Sequence, residues 1–170
     1  SKTLIDSSKL NNGAKIILHK VSKPEMYGVA KINKNNKLVK LIEKPKRYVS
    51  DLAVTGLYFF DKNVVKYAKN LKPSSRGEIE IIDLILKYKK IKKLKAEILG
   101  RGSAWLDTGS IEDFYKTSAF VFAIENRQGF KIACLEEISL ANKWIGKKEI
   151  TNAIRFYGNC GYSNYLKKLT

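Results

Sequence analysis

Glu43, Lys44 and Pro45 leave an apolar run together, where residues 38–42 give way to a polar link. An acid and a base that leave the end of a strand just before a proline sit at a sheet's rim. That is where open α/β sheets place their ligands. The proline removes a backbone donor and biases Lys44 toward an extended conformation. Taken alone, the same residues read more simply as an exposed Glu-Lys turn, since such charges are mostly solvated. Further on, Trp105-Leu106-Asp107-Thr108-Gly109 sets a carboxylate directly after an apolar pair and before a turn. By itself Asp107 reads first as a turn former or cap, and only second as a metal ligand. Tyr27-Gly28 and Val54-Thr55-Gly56 would likewise be ordinary loop and core residues if each stood alone.

These groups need elements to hold them. Residues 3–10 carry a weak amphipathic pattern before the turn Asn11-Asn12-Gly13, and residues 14–21 alternate as a strand. Residues 29–32 and 38–42 flank Asn33-Lys34-Asn35-Asn36-Lys37, turn chemistry that predicts a β-hairpin. The nearly continuous apolar run 53–60 suits a strand covered on both faces. Gly56 within it marks a close approach of another backbone or a ligand. Asp61 is a candidate N-cap for a helix through Leu71, with Val64, Val65 and Ala68 inward and Pro73-Ser74-Ser75 ending it. A second helix runs from about Gly77 to Tyr88, with Ile79, Ile82, Ile85 and Leu86 on one face. Residues 94–99 form another strand. Ser110 caps a long helix to about Asn126, with Phe114, Val121 and Ile124 on its apolar side. Three short amphipathic helical segments follow from Leu135 onward. Strands crowd the first hundred residues and helices the last sixty, an α/β layer followed by a helical C-terminal extension.

The whole composition narrows the function classes. A chain of 170 residues with 44% hydrophobic content supports one domain with a real core. Cys134 and Cys160 have no metal-ligand spacing, and the single histidine, His19, lies in a strand pattern and belongs to no triad. No apolar run approaches the ~20 residues of a membrane span. The N-terminal stretch has no secretory core, so the expectation is a cytoplasmic protein without a membrane partner. The net charge of +17 invites a polyanion. Yet the lysines are spread along the chain and are not interleaved with aromatics, which argues against nucleic acid. A small phosphorylated substrate would also suit a positive field. Neither G-x-x-x-x-G-K-S/T nor G-x-G-x-x-G occurs.

Read together, Tyr27-Gly28, Glu43-Lys44-Pro45, Val54-Thr55-Gly56 and Trp105 to Gly109 resemble, in order and spacing, the sugar-nucleotide pyrophosphorylases, and among them the thymidylyltransferases. The phrases YGVAKINKNNKLVKLIEKP, AVTGLYFFD, AKNLKPSSRGEIEI, GRGSAWLDTG and IENRQGFKIACLEEI carry the same likeness from about Gly13 to the C-terminus. The resemblance implies a partial mixed sheet of a nucleotidyltransferase-like, Rossmann-like α/β fold. Residues 1–126 would form the sugar-phosphate-binding part and residues 127–170 a helical extension. It also implies attack of glucose 1-phosphate on the α-phosphorus of dTTP, with release of pyrophosphate. Lys44 would then contact the sugar phosphate and Glu43 the sugar hydroxyls. Tyr27, Gly28 and Val54 would line the sugar pocket. Asp107 would be one of two aspartates holding Mg²⁺, a hard cation suited to carboxylate and phosphate oxygens. Gly100, Arg101 and Glu137 fall where the family binds a regulatory nucleotide between the subunits of a homotetramer.

The departure from the family pattern is equally clear. Members begin with a nucleotide-binding half that carries a glycine-rich loop, a phosphate-binding lysine and the first metal aspartate. The present chain opens on serine and contains none of these, so it reads as a piece of something longer, inactive by itself. Three other readings stay open: a pyrophosphorylase for another nucleotide such as UTP, a non-catalytic regulatory or assembly module of the same fold, and a basic nucleic-acid binder favoured only by charge.

Overall fold

The computed structural model describes residues 2–74 and 77–170, so the expected role of Ser75 in ending a helix lies outside the described residues. The chain separates into two compact units, residues 1–105 and 106–170, a division earlier than the 126/127 boundary suggested by the sequence. After helix α1 (Lys2–Ser8), the first unit contains strands β1 (Ala14–Lys20), β2 (Gly28–Ile32), β3 (Leu38–Glu43), β4 (Leu52–Phe60) and β5 (Leu94–Ile98). Helices α2 (Val64–Ala68) and α3 (Ile81–Lys90) lie between β4 and β5 in sequence. The sheet order is β3-β2-β4-β1-β5. Only β1 and β5 run parallel; the other neighbours are antiparallel, which gives the expected mixed sheet.

The predicted hairpin is present, and its turn explains its register. Asn33 Oδ1 accepts the backbone N–H groups of Asn35 and Lys37, at 2.9 and 3.0 Å, and Asn36 takes a left-handed φ of 55°. Such Asx bonding is what asparagine supplies in tight turns. The hairpin pairs Gly28 with Glu43 at its open end.

Strand β4 departs from the expectation of two covered faces. Leu52, Ala53 and Val54 are buried, whereas Gly56 and Leu57 are exposed. The reason is a bulge: Ile16 pairs with Tyr58 but Leu18 with Val54, so Thr55, Gly56 and Leu57 stand opposite Ile17. Gly56 has a φ of 78°, and a Cβ added there would meet open space. The glycine therefore serves the bulge's left-handed turn and not a close approach. Along its β2 side, β4 pairs only through Ala53 with Val29.

Helix α3 explains most of the core. Ile82 and Ile85 pack with Ile16, Leu18, Ala30, Leu38, Leu41, Leu52 and Val54, while Leu84 and Tyr88 pack with Ala14 in a second cluster. Two clusters on one helix explain why Leu84 and Tyr88 are buried although the sequence pattern places only Ile79, Ile82, Ile85 and Leu86 on its inner face. Ile79 precedes the helix and is exposed. Helix α2 also differs from expectation. It begins after Asn63, and Val65 and Ala68 face outward; Val64 and Tyr67 pack against the second cluster.

Asp61 is no simple cap. It is buried, and its carboxylate accepts the N–H of Gly13 at 2.7 Å, the N–H of Asn63 at 2.9 Å and the hydroxyl of Tyr88 at 2.8 Å. Burial pushes this carboxyl up, but the hydrogen bonds from Gly13, Tyr88 and Asn63 outweigh burial and hold it below the ordinary range. Burial and the hydrogen bond to Asp61 push the Tyr88 phenol up, so it stays a neutral donor.

The second unit is helical: α4 (Ile111–Gln128), α5 (Leu135–Ala141), α6 (Lys147–Tyr157) and α7 (Gly161–Leu166). The Ser110 cap is as expected, its Oγ accepting the N–H of Asp113 at 3.1 Å. Val121 and Ile124 are half-buried, but Phe114 is exposed, and no residue of α4 is fully buried within the described structure. Cys134, Ile150, Tyr165 and Leu166 form the core of this unit. Among the described residues, no helix is long and apolar enough to cross a membrane.

Replacing Asp61 by alanine strands a buried N–H and a buried hydroxyl, and is expected to cost about 3 kcal/mol in urea unfolding; Tyr88→Phe should cost about 1 kcal/mol. The folded Asp61 carboxyl is a stronger acid than the unfolded one. Its stabilisation is therefore complete above the unfolded value of about 3.9 and is lost as pH falls through the lower folded value. Stability measured from pH 6 down to 2 should fall less steeply in Asp61→Asn than in the native chain.

Candidate functional site

The open end of the β2–β3 hairpin brings four of the expected residues together. Gly28 pairs with Glu43, and the N–H of Lys44 donates to the carbonyl of Tyr27 at 3.0 Å, which closes the ladder one residue beyond the strands. A Cβ built on Gly28 would lie 2.9 Å from Glu43 Oε2 and 3.2 Å from Ile82 Cδ1. The Glu43 carboxylate folds back over Gly28, with α3 behind, so a side chain there would displace one or the other. Tyr58, reached from the next strand, has its phenol pushed up by burial and by the negative charge of Glu43. It is thus a neutral hydroxyl in the field of that carboxylate.

Lys44 corrects the sequence expectation. It does not take the extended conformation that a following proline favours; its φ is +39°. A left-handed non-glycine residue is uncommon and strained. The turn is held on both sides, by the Tyr27 hydrogen bond before it and by the buried ring of Pro45 after it. The Lys44 side chain itself is exposed, and its ammonium makes no hydrogen bond or ion pair among the described residues. Beyond it, Pro24, Glu25 and residues 45–49 line a cleft of about 240 Å³.

Val54 sits differently. Its side chain is buried in the sheet core. The other expected residues lie apart from the corner in sequence. Gly100 and Arg101 form an exposed turn after β5, and in the second unit Glu137 accepts the Tyr165 hydroxyl at 2.5 Å. Asp107 also belongs to the second unit. Its Oδ1 accepts the N–H of Thr108 at 3.0 Å, and its carbonyl accepts the Thr117 hydroxyl at 3.3 Å. Among the described residues, no group of three or more His, Cys, Asp or Glu could hold a metal. Mg²⁺ commonly takes one or two carboxylates and completes its shell with phosphate oxygens and water. A single exposed aspartate with a free oxygen fits that donor set as one ligand.

An aromatic wall stands beside the corner, and the sequence reading did not assemble it. Trp105 packs edge-on against Tyr27 with ring centroids 5.1 Å apart, and its indole N–H donates to the carbonyl of Thr55 at 3.1 Å. The His19 ring lies 6.1 Å from Trp105, and its Nδ1 is buried with no hydrogen-bond partner among the described residues. Trp105 was visible only as part of a motif. Its contacts are with residues fifty or more positions earlier in the chain, which no local pattern reveals. An aromatic wall, a carboxylate and a free ammonium at one strand end can bind a ligand that bears hydroxyls and an anionic group.

Known proteins resemble this chain in sequence and fold. The nucleotidyl transferase family matches residues 2–123. Among curated relatives, the glucose-1-phosphate thymidylyltransferase of Neisseria meningitidis is 43% identical over 99% of this chain and 59% of its own length. That of Xanthomonas campestris is 39% identical over 98% of this chain and 57% of its own length. The chain thus spans about three-fifths of the relatives it matches. A solved structure from Bacillus anthracis, described as a glucose-1-phosphate thymidylyltransferase in complex with a sucrose, superposes with a TM-score of 0.59 and 38% identity. That match covers 70% of this chain and 46% of the other. A UDP-glucose pyrophosphorylase complexed with UDP-glucose shares the fold at a TM-score of 0.56 and 24% identity, over 65% of this chain and 44% of the other.

Two substitutions test the corner's geometry through stability. Gly28→Ala should cost about 1–3 kcal/mol, because either the Glu43 carboxylate or Ile82 must move. At Lys44 the side chain is exposed but the backbone is strained, so Lys44→Gly should be about 1 kcal/mol more stable than Lys44→Ala. Equal urea midpoints for that pair would show that the left-handed turn is not maintained in solution.

Proposed function

The chain belongs to the nucleotidyl transferase family, and from that premise we propose that it supplies the sugar-phosphate half of a glucose-1-phosphate thymidylyltransferase. The observation that carries the reading is the Gly28–Glu43–Lys44 corner, where a carboxylate folded over a glycine stands next to an unpaired ammonium. The curated relatives of matching sequence bear that enzyme's name.

In the reaction, a phosphate oxygen of glucose 1-phosphate attacks the α-phosphorus of dTTP. A new P–O bond forms, the bond to the β-phosphate oxygen breaks, and pyrophosphate leaves with that electron pair. Glu43 accepts hydrogen bonds from sugar hydroxyls, and Tyr58, held neutral, is a donor in the same field. The backbone of Val54 and the Tyr27–Trp105 pair bound the ring. Lys44 neutralises the sugar phosphate, which is an anion attacking an anion and must be screened before it can approach. Its left-handed turn sets the direction in which the side chain leaves the backbone at the strand end. Mg²⁺ would supply further charge neutralisation at the phosphates, with Asp107 as one ligand. The triphosphate cradle and the thymine pocket are assigned to residues beyond these 170, and the chain by itself turns over neither substrate.

Pyrophosphate release from dTTP and glucose 1-phosphate with Mg²⁺ tests this reading, first with the chain alone and then mixed with the separately made N-terminal half of a relative. Release is expected only in the mixture, lowered roughly 100-fold by Lys44→Ala or by Asp107→Ala. Release by the chain alone would overturn the division of labour. In the same preparations, glucose 1-phosphate binding followed by ³¹P resonance should weaken in Lys44→Ala; an unchanged affinity would remove the phosphate role from that lysine.

A further inference from the structure

Five of the seven residues from Lys87 to Lys93 are lysines, and the sugar-phosphate corner uses none of them. Those in the last turn of α3 have an ordinary reason to be there, since cations complement a helix C-terminus. Lys92 does not. It follows the C-cap Ile91, its φ is +57°, and the N–H groups of Lys92 and Lys93 return to the carbonyls of Lys89 and Tyr88, at 3.0 Å each. That is a Schellman ending, and Lys92 fills the left-handed position that glycine normally occupies. A lysine there is disfavoured by the backbone.

The same residue lines a cavity of about 420 Å³ with Lys37, Leu38, Lys89 and Leu94. Leu38 opens β3 and Glu43 closes it, so this cavity lies at the opposite end of the strand from the corner. Lys89 is fixed in place, its Nζ donating to the Val39 carbonyl at 2.5 Å. Three ammonium-bearing residues thus share one cavity that no described acidic residue lines. Two unfavourable choices converge on it: a strained lysine where glycine would fit, and three lysines on one cavity that no described acid lines. A bound anion offsets both.

We propose that this cavity is a binding site for a compact oligophosphate, distinct from the Glu43–Lys44 corner. Its volume falls within the range of small-ligand pockets. Two leucines and three lysines line it, and no described aromatic residue offers a face on which a base could stack. Those features favour a short chain of phosphates over a strand of nucleic acid, whose recognition relies on stacking. The inference does not depend on the sugar-phosphate reading.

Titration calorimetry of the full chain with inorganic tripolyphosphate tests it. Saturable binding is expected, weakened about tenfold by Lys37→Ala and about tenfold by Lys92→Gly, the scale of one charge-assisted hydrogen bond. Lys92→Gly should at the same time raise the urea midpoint, because glycine relieves the left-handed turn; a variant that gains stability while losing affinity cannot be failing to fold. Lys62→Ala/Lys148→Ala removes two exposed charges elsewhere and should leave binding unchanged. Equal weakening by that control would reduce the effect to general charge and overturn the site. Tighter binding of a thymidine oligonucleotide than of tripolyphosphate, sensitive to the same variants, would overturn it in favour of a nucleic-acid surface.

Discussion

The buried Asp61 carboxylate is the interaction on which the first unit depends. It gathers three donors from three places: the residue just before β1, the residue just before α2 and the phenol of α3. A buried carboxylate is tolerable only when its lone pairs are satisfied, so the four segments cannot drift apart without exposing an expensive charge. Helix α3 carries that constraint across the sheet. Tyr88 anchors it to Asp61, and two turns earlier Ile82 stands behind Gly28 at the hairpin's open end. The site is therefore braced by the same helix that the buried carboxylate fixes.

At the corner itself, precision comes from crowding. The Glu43 carboxylate occupies the space above Gly28 that a Cβ would need. Lys44 is aimed by a backbone conformation it would not choose alone, held by the Tyr27 hydrogen bond on one side and the buried Pro45 on the other. Strain of this kind concentrates at functional positions because the surrounding structure must over-determine it. The neighbouring bulge in β4 does related work. It turns Thr55 so that its carbonyl receives the Trp105 indole, which sets an aromatic wall beside Tyr27.

Charge is partitioned along β3. At one end Lys44 stands beside the Glu43 carboxylate; the other opens on a cavity lined by three lysines. The opposite ends of one strand have different neighbours, and among the described lining residues the second end has no acid.

The sequence by itself determined whatever rests on short-range chemistry. Asn33 sets the hairpin turn through bonds to Asn35 and Lys37, and Ser110 starts α4 through a bond three residues on. The apolar runs and their turns set the strands, and the order of the motifs identified the family. The tertiary structure decided the rest. Asp61 resembles a helix cap until Gly13, 48 residues earlier, and Tyr88, 27 residues later, are seen to claim it. Gly56 suggests a close approach until the register with β1 reveals a bulge. Lys44 should be extended until the ladder bond to Tyr27 holds it otherwise. In each case the deciding partner lies far along the chain, and local propensity, worth at most about 1 kcal/mol per residue outside proline, yields to it.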